Sequence, residues 1–232
     1  MKRIGFGIGI AVYSLCLIVF ALLAATLTTA YDADYYHSFQ KKNHIMAVTG
    51  KSQEELDRIS GDLIEYMRDG KEERMTAHFN ERETAHMRDV FGLFRLARIV
   101  SVLTGGIVFF GTVWILFRKK HKQAFQAMLI FGGAALLLLM IVCIAAAIDW
   151  DTSFTIFHKI LFKNDLWLLN PDSDLLIQMM PMPFFVGMGI RIAVKTLVLI
   201  GADLILFALF THFDRSAQSK KEDSCLNIQA TE

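Results

Sequence analysis

The sequence predicts an all-α polytopic membrane protein, four transmembrane helices carrying a small, mainly helical extracytoplasmic cap. Composition is the first ground: hydrophobic residues make up 54% of 232 and mean hydropathy is +0.41, far from the average of a soluble domain. The second is the presence of four apolar runs, each long enough at 1.5 Å per residue to cross a hydrocarbon core of roughly 30 Å. The third is the sorting of charge into the segments between them. A net charge of +1 with no basic block speaks against a nucleic-acid partner. Cys16 and Cys143 lie in apolar runs and Cys225 in a polar tail, so no intrachain disulfide and no C-x-x-C pair is expected.

Met1-Lys2-Arg3 forms a cytoplasmic start (1–3), and 4–29 is the first span. Its length exceeds the apolar core of roughly 7–15 residues in a signal peptide, so Thr28-Thr29-Ala30 is expected to follow an uncleaved anchor. Gly5 and Gly9 form a G-x-x-x-G, a mark of helix packing. Residues 30–94 are polar and form the first cap segment, introduced by Tyr31, Tyr35, Tyr36 and Phe39. Ser52-Gln53-Glu54-Glu55 is a capping box ahead of Leu56, Ile59, Leu63, Tyr66 and Met67, and Gly70 stops that helix. Asn80-Glu81-Arg82-Glu83 opens another, which carries His86 and Asp89 as neighbours and runs on into the second span, 95–117.

A basic loop, 118–123, separates this span from the third, 124–148. The positive-inside rule places that loop, and with it both termini, in the cytoplasm. Residues 149–183 then return to the outer side as an interfacial segment, with Lys159 and Lys163 against Asp149, Asp151, Asp165, Asp172 and Asp174. In it a helix N-capped by Asp151 puts Phe154, Phe157, His158 and Leu161 on one face. Asn164-Asp165 breaks the helix and Asn170-Pro171-Asp172 is a turn. The fourth span, 184–210, contains Arg191, Lys195 and Asp203. Two cations one turn apart are expected to face the bundle interior, either in an ion network with Asp149, Asp151 or Asp203 or as a site for a polar substrate group. The tail, 211–232, is expected in the cytoplasm, and from Asp214 onward it is polar and expected to be disordered.

His86 and His158 sit at the water ends of helices that meet the membrane, which makes them a candidate acid–base pair; alternatively each is an interfacial histidine satisfied by a neighbour. No H-E-x-x-H or other dense ligand spacing supports a metal, and no G-x-S-x-G or phosphate loop is present, so no cofactor is expected. Phe154 and Phe157 are expected to wall a lipid-sized pocket around His158, and Phe184 and Phe185 to belong to the interfacial aromatic belt.

The pattern F-x-x-F-H-x-x-x-F-x-N-D-x-W-x-L from Phe154, followed by N-P-D-S-D-L-L-I and P-x-P-F-F and preceded by H-M-R-D-V at His86, resembles the lipoprotein intramolecular transacylases of Gram-positive bacteria. The resemblance implies two catalytic histidines, falling here on His86 and His158, with Asp89, Phe154, Phe157, Asn164, Asp165, Trp167 and Arg191 as supporting or pocket residues. It implies diacylated lipoproteins as substrates in the bacterial cell membrane, without metal or other cofactor. The implied reaction moves the sn-2 acyl chain of the S-diacylglyceryl cysteine onto that cysteine's own α-amino group. Attack closes a roughly eight-membered ring, which calls for a shaped pocket. The rival class is a non-enzymatic four-span protein that binds a partner through its outer loops; such proteins rely on disulfides there, and neither outer segment contains cysteine.

Overall fold

The computed structural model describes residues 2–229, with the side chains of 2–6, 215 and 217–229 outside the described set; Met1 and residues 230–232 also lie outside it. Helix α1 (Lys2–Ala30) is followed by four shorter helices, α2 (Ala33–Lys42), α3 (Ile45–Thr49), α4 (Gln53–Asp69) and α5 (Glu73–Thr76). Then come α6 (Glu81–Phe117), α7 (His121–Ile148), α8 (Trp150–Leu161), α9 (Leu175–Met179) and α10 (Met182–Gln229), and no strand occurs among the described residues. Four of these, α1, α6, α7 and α10, are long and apolar enough to cross a membrane. Their outward faces, such as Val102 at 75% and Ile130 at 70% exposure, are covered only if lipid surrounds them.

Helix α1 is the hub, packing against α6, α7 and α10. Close approach is set by glycines: a side chain at Gly105 would run into Phe20, and one at Gly111 into the ring of Tyr13. Gly9 has nothing near it, so the expected G-x-x-x-G contact is not where the helices meet, and Gly5 lies outside the described side chains. Tyr13 donates to Asp203 Oδ1 at 2.6 Å and lies 2.9 Å from Thr112 Oγ1, which ties α1, α6 and α10 together within the bundle. A buried polar knot of this kind is stabilising because lipid offers its members no alternative partner.

Helices α2 to α5 and α9 form the cap. Both expected capping boxes are made: Ser52 and Glu55 start α4, Asn80 and Glu83 start α6, and Gly70 in the left-handed region ends α4. Leu56, Ile59, Leu63, Tyr66 and Met67 all face the cap core, where they meet Tyr36, Phe39, Ile45, Met75 and Met179. Phe184 sits in that core at 1% exposure, its ring 5.0 Å from Tyr35 and 5.2 Å from Phe39, so it fastens cap to bundle instead of lying in an aromatic belt. Helix α10 differs from expectation at its far end, continuing as helix through Gln229. From residue 202 onward the chain has neither Gly nor Pro to stop it, and Ala, Gln, Lys and Glu propagate a helix well.

Candidate active site

Helix α6 has 37 residues, about 55 Å, well beyond a bilayer core, and its first four turns carry Glu81, Arg82, Glu83, Arg88, Asp89 and Arg95. Those turns therefore stand above the apolar span, which begins at Leu96. A polar staple fastens them to the segment after α8. Asn80 Nδ2 donates to Asp174 Oδ1 (2.9 Å), the other oxygen of Asp174 accepts from Asn170 N (2.7 Å), and buried Glu83 accepts from Leu176 N (2.6 Å). Arg82 donates to the Asp165 carbonyl (2.6 Å) and Asn164 Nδ2 to Asp89 Oδ2 (2.8 Å). Asn80, Arg82, Glu83 and Asp174 are site-building residues whose sequence context points only to caps or loop charge. The signal was present in two turn motifs, Asn80–Glu83 and Asn170–Asp174, but their mutual contact spans more than 90 residues.

Helix α8 begins on Asp149, which accepts from Thr152 N at 3.0 Å; Asp151, expected as the cap, lies one residue inside the first turn. The cap shifts because Asp149 has the extended backbone an N-cap needs, whereas Asp151 is already helical. About two and a half turns later the helix brings His158 against His86. Both are 8% exposed, and their ring centres lie 6.2 Å apart. Phe162 rests on both, 5.2 Å from His86 and 5.7 Å from His158. Trp167 stacks on His158 at 4.8 Å, Phe154 lies 4.0 Å from it, and Phe185 backs Phe154 at 6.1 Å. Phe185 is thus part of the box wall, contrary to its expected place in a belt. Phe157 contributes only an edge contact and is 56% exposed; with Leu161 at 39% it points away, because the helix buries the 154–158 stripe more deeply than 157–161.

His158 Nδ1 lies 2.8 Å from the Phe154 carbonyl. A carbonyl only accepts, so the proton sits on Nδ1 and Nε2 keeps its lone pair. His86 Nδ1 and Trp167 Nε1 are buried without a partner. Burial lowers the pKa of both histidines. For His86 the fall is to about 4, through desolvation first and then repulsion from His158, with Asp89 opposing; for His158 desolvation outweighs the Phe154 carbonyl. Asp89 does not orient His86 by a hydrogen bond, since its carboxylate is engaged by Asn164.

Beside the box, a groove of about 350 Å³ is lined by Arg88, Asp89, Leu93, Leu161, Phe162 and Asn164, so that Phe162 separates groove from histidines. Arg191 belongs elsewhere. Its side chain is 47% exposed, and its guanidinium pairs with Asp32 at 3.3 Å and lies over the Tyr35 ring at 4.5 Å. Lys195 Nζ reaches Thr28 Oγ1 at 3.4 Å. Neither cation faces the bundle interior, and their partner is none of Asp149, Asp151 and Asp203: the last is held by Tyr13, and Asp149 caps α8. Among the described residues, no three His, Cys, Asp or Glu side chains converge as metal ligands.

The family model for the lipoprotein intramolecular transacylase Lit matches residues 11–185, a stretch that contains both histidines and the whole staple. The chain belongs to that family. It is an acyltransferase family named for its action on lipoproteins. The crystal structure of the membrane-integral Lit of Bacillus cereus is 23% identical over 90% of this chain and 97% of that one, with a TM-score of 0.76. A variant of the same Bacillus cereus protein with one histidine replaced by alanine superposes at TM-score 0.74, with 21% identity over 94% of this chain and 98% of that one. At these identities the likeness establishes the shared fold. No curated protein matches the sequence.

Proposed function

We propose that this chain isomerises S-diacylglyceryl cysteine at a lipoprotein N-terminus to the N-acyl, S-monoacylglyceryl form, with His86 and His158 moving the protons. The observation that carries this is the state of the pair: two buried neutral imidazoles without an acidic partner, one with its Nε2 lone pair fixed in place by a backbone carbonyl. A ring spacing of 6.2 Å lets both reach atoms of one substrate with hydrogen bonds of about 2.7–3.2 Å.

The α-ammonium, with a pKa near 8, gives one proton to solvent, and His158 Nε2 takes the second from the neutral amine as its nitrogen bonds to the acyl carbon. The freed nitrogen attacks the sn-2 acyl carbon, the C–N bond forms, and the C–O bond to the glyceryl carbon-2 oxygen breaks. That oxygen leaves with a proton delivered by imidazole, so the reaction balances without water, metal or cofactor. His86 and Trp167 Nε1–H are the groups placed to hydrogen-bond the oxyanion as charge develops, a role suited to buried donors without other partners. The two histidine roles are interchangeable on this geometry. The aromatic walls exclude water and so favour the amine over hydrolysis.

The proposed topology sets the cap and histidine box on the extracytoplasmic side and the turn at residues 118–120 in the cytoplasm. Arg118, Lys119, Lys120 and Lys122 support it through the positive-inside rule. In a cysteine-free background, cysteines placed at Lys71 and Lys122 should label from outside cells only at position 71; the reverse pattern overturns the orientation.

The chemical test uses purified protein and a synthetic diacylglyceryl lipopeptide, with and without chelator. Isomerisation leaves the mass unchanged, so the readout is loss of the reactive amine together with fragment ions that place an acyl chain on nitrogen. A free amine accompanied by loss of one acyl chain would make the protein a hydrolase. Crossover of label between heavy and light peptides would overturn the intramolecular route, and inactivation by chelator would overturn the metal-free one.

A further inference from the structure

Helical rise places two cations at a definite depth. Arg191 lies 23 residues before Asp214 and Lys195 lies 19 before it, hence about 34 and 28 Å along α10 from the end that bears His121 and Asp214. A hydrocarbon core is about 30 Å thick, so the two side chains bracket its cap-side boundary, where phospholipid phosphates lie.

The local charges do not balance. One carboxylate, Asp32, stands near two cations' worth of charge and serves only Arg191: its Oδ2 takes the guanidinium while its Oδ1 accepts from Tyr35 N in capping α2. Lys195 has only the Thr28 hydroxyl at 3.4 Å. An ammonium at this depth with a neutral partner lacks the counter-charge that intramembrane cations ordinarily find. On the same stripe of α10, further into the span, Val198 is 63% and Ile205 62% exposed. The face thus offers two cations above and an apolar strip below, the shape of one lipid: phosphate at the top, acyl chain along the helix. Arg191 is held for this role by the Tyr35 ring, which leaves one edge of the guanidinium on Asp32 and the rest of its donors available.

We propose that Arg191 and Lys195 seat the phosphate of an anionic phospholipid in the cap-side leaflet, beside Thr28, where α10 meets the corner between α1 and α2. The site is separate from the histidine box and requires nothing of its chemistry.

Native mass spectrometry of the full chain, titrated with phosphatidylglycerol or with diacylglycerol of the same acyl chains, tests it. Phosphatidylglycerol should be retained at least about tenfold more tightly, the scale of a charge-assisted hydrogen bond. Lys195→Met and Arg191→Met should each erase most of that preference and Lys195→Arg should keep it. Equal retention of the two lipids by the parent overturns the proposal without any variant, as does unchanged preference in Lys195→Met. Inorganic phosphate should not displace the lipid; displacement at equal concentration would show a free-anion site and overturn the lipid assignment.

Discussion

The two ends of the bundle treat their histidines differently. At one end His121 is buried with Nε2 3.0 Å from Asp214, and within the cap His78 likewise sits 2.8 Å from Asp62, so each is matched to a carboxylate that can hold its charge. At the other, His86 and His158 are just as buried, yet neither is paired with a carboxylate, and His158 spends a proton only on its own helix backbone. A paired histidine is an anchor; an unpaired one in an aromatic box costs stability and keeps its lone pair. That cost is tolerable where the lone pair is used.

The largest effect that would break the contrast is in turnover. His158→Asn and His86→Asn remove a titratable ring while keeping polarity, and each should lower acyl transfer by about a hundredfold or more with the protein still inserted and folded. Near-parental rates in both would reduce the pair to packing.

Next is the staple that brings the two histidines together. Glu83→Ala leaves the buried Leu176 N–H without an acceptor and should lower unfolding stability by about 1–3 kcal/mol, with activity falling alongside as the Trp167 segment loosens. An unchanged melting temperature would mean that segment is held by its aromatics alone.

A smaller effect is the pH response. Since burial depresses the folded-state pKa of His86 to about 4 from an ordinary 6.5, the unfolded chain binds more protons between those values. Its contribution is fully present above about pH 6.5 and is lost as pH falls toward 4, so parental stability should decline across that window and His86→Asn should flatten the decline. The acid limb of turnover should likewise fall below the pKa of free imidazole, because His158 is shifted down. A histidine limb that stays at or above 6.5 once the substrate ammonium, titrating near 8, is accounted for would contradict the burial of the pair.

The smallest effects belong to the paired histidines. His78→Asn and His121→Asn should leave turnover within about twofold of the parent, with the exposed face of the His78–Asp62 pair limiting its stability loss to about 1 kcal/mol. Loss of turnover in either would erase the distinction between anchor and reagent.

Local features of this site were legible in the chain because they close within a turn or two. Ser52 with Glu55, Asn80 with Glu83 and His158 with Phe154 all act three or four residues apart. The four spans followed from composition. What sequence could not supply were contacts between distant segments: Asp89 choosing Asn164 over His86, Glu83 reaching Leu176, Arg191 finding Asp32, Phe184 entering the cap core. Each is decided by how elements pack, and amphipathic spacing carries no information about which of several available partners lies opposite. The choice of Asp149 over Asp151 was lost for a smaller reason, since two aspartates two residues apart offer equally good caps until the backbone selects one.

The central claim is that His86 and His158 act as one proton-transfer unit, and a double-mutant cycle on turnover tests it most directly. With each single Asn variant and the double variant assayed on the same diacylglyceryl lipopeptide by amine loss, the double variant should be little slower than the slower single one. Multiplicative losses, with the double variant slower by the product of the two single effects, would show two independent contributions and contradict the account.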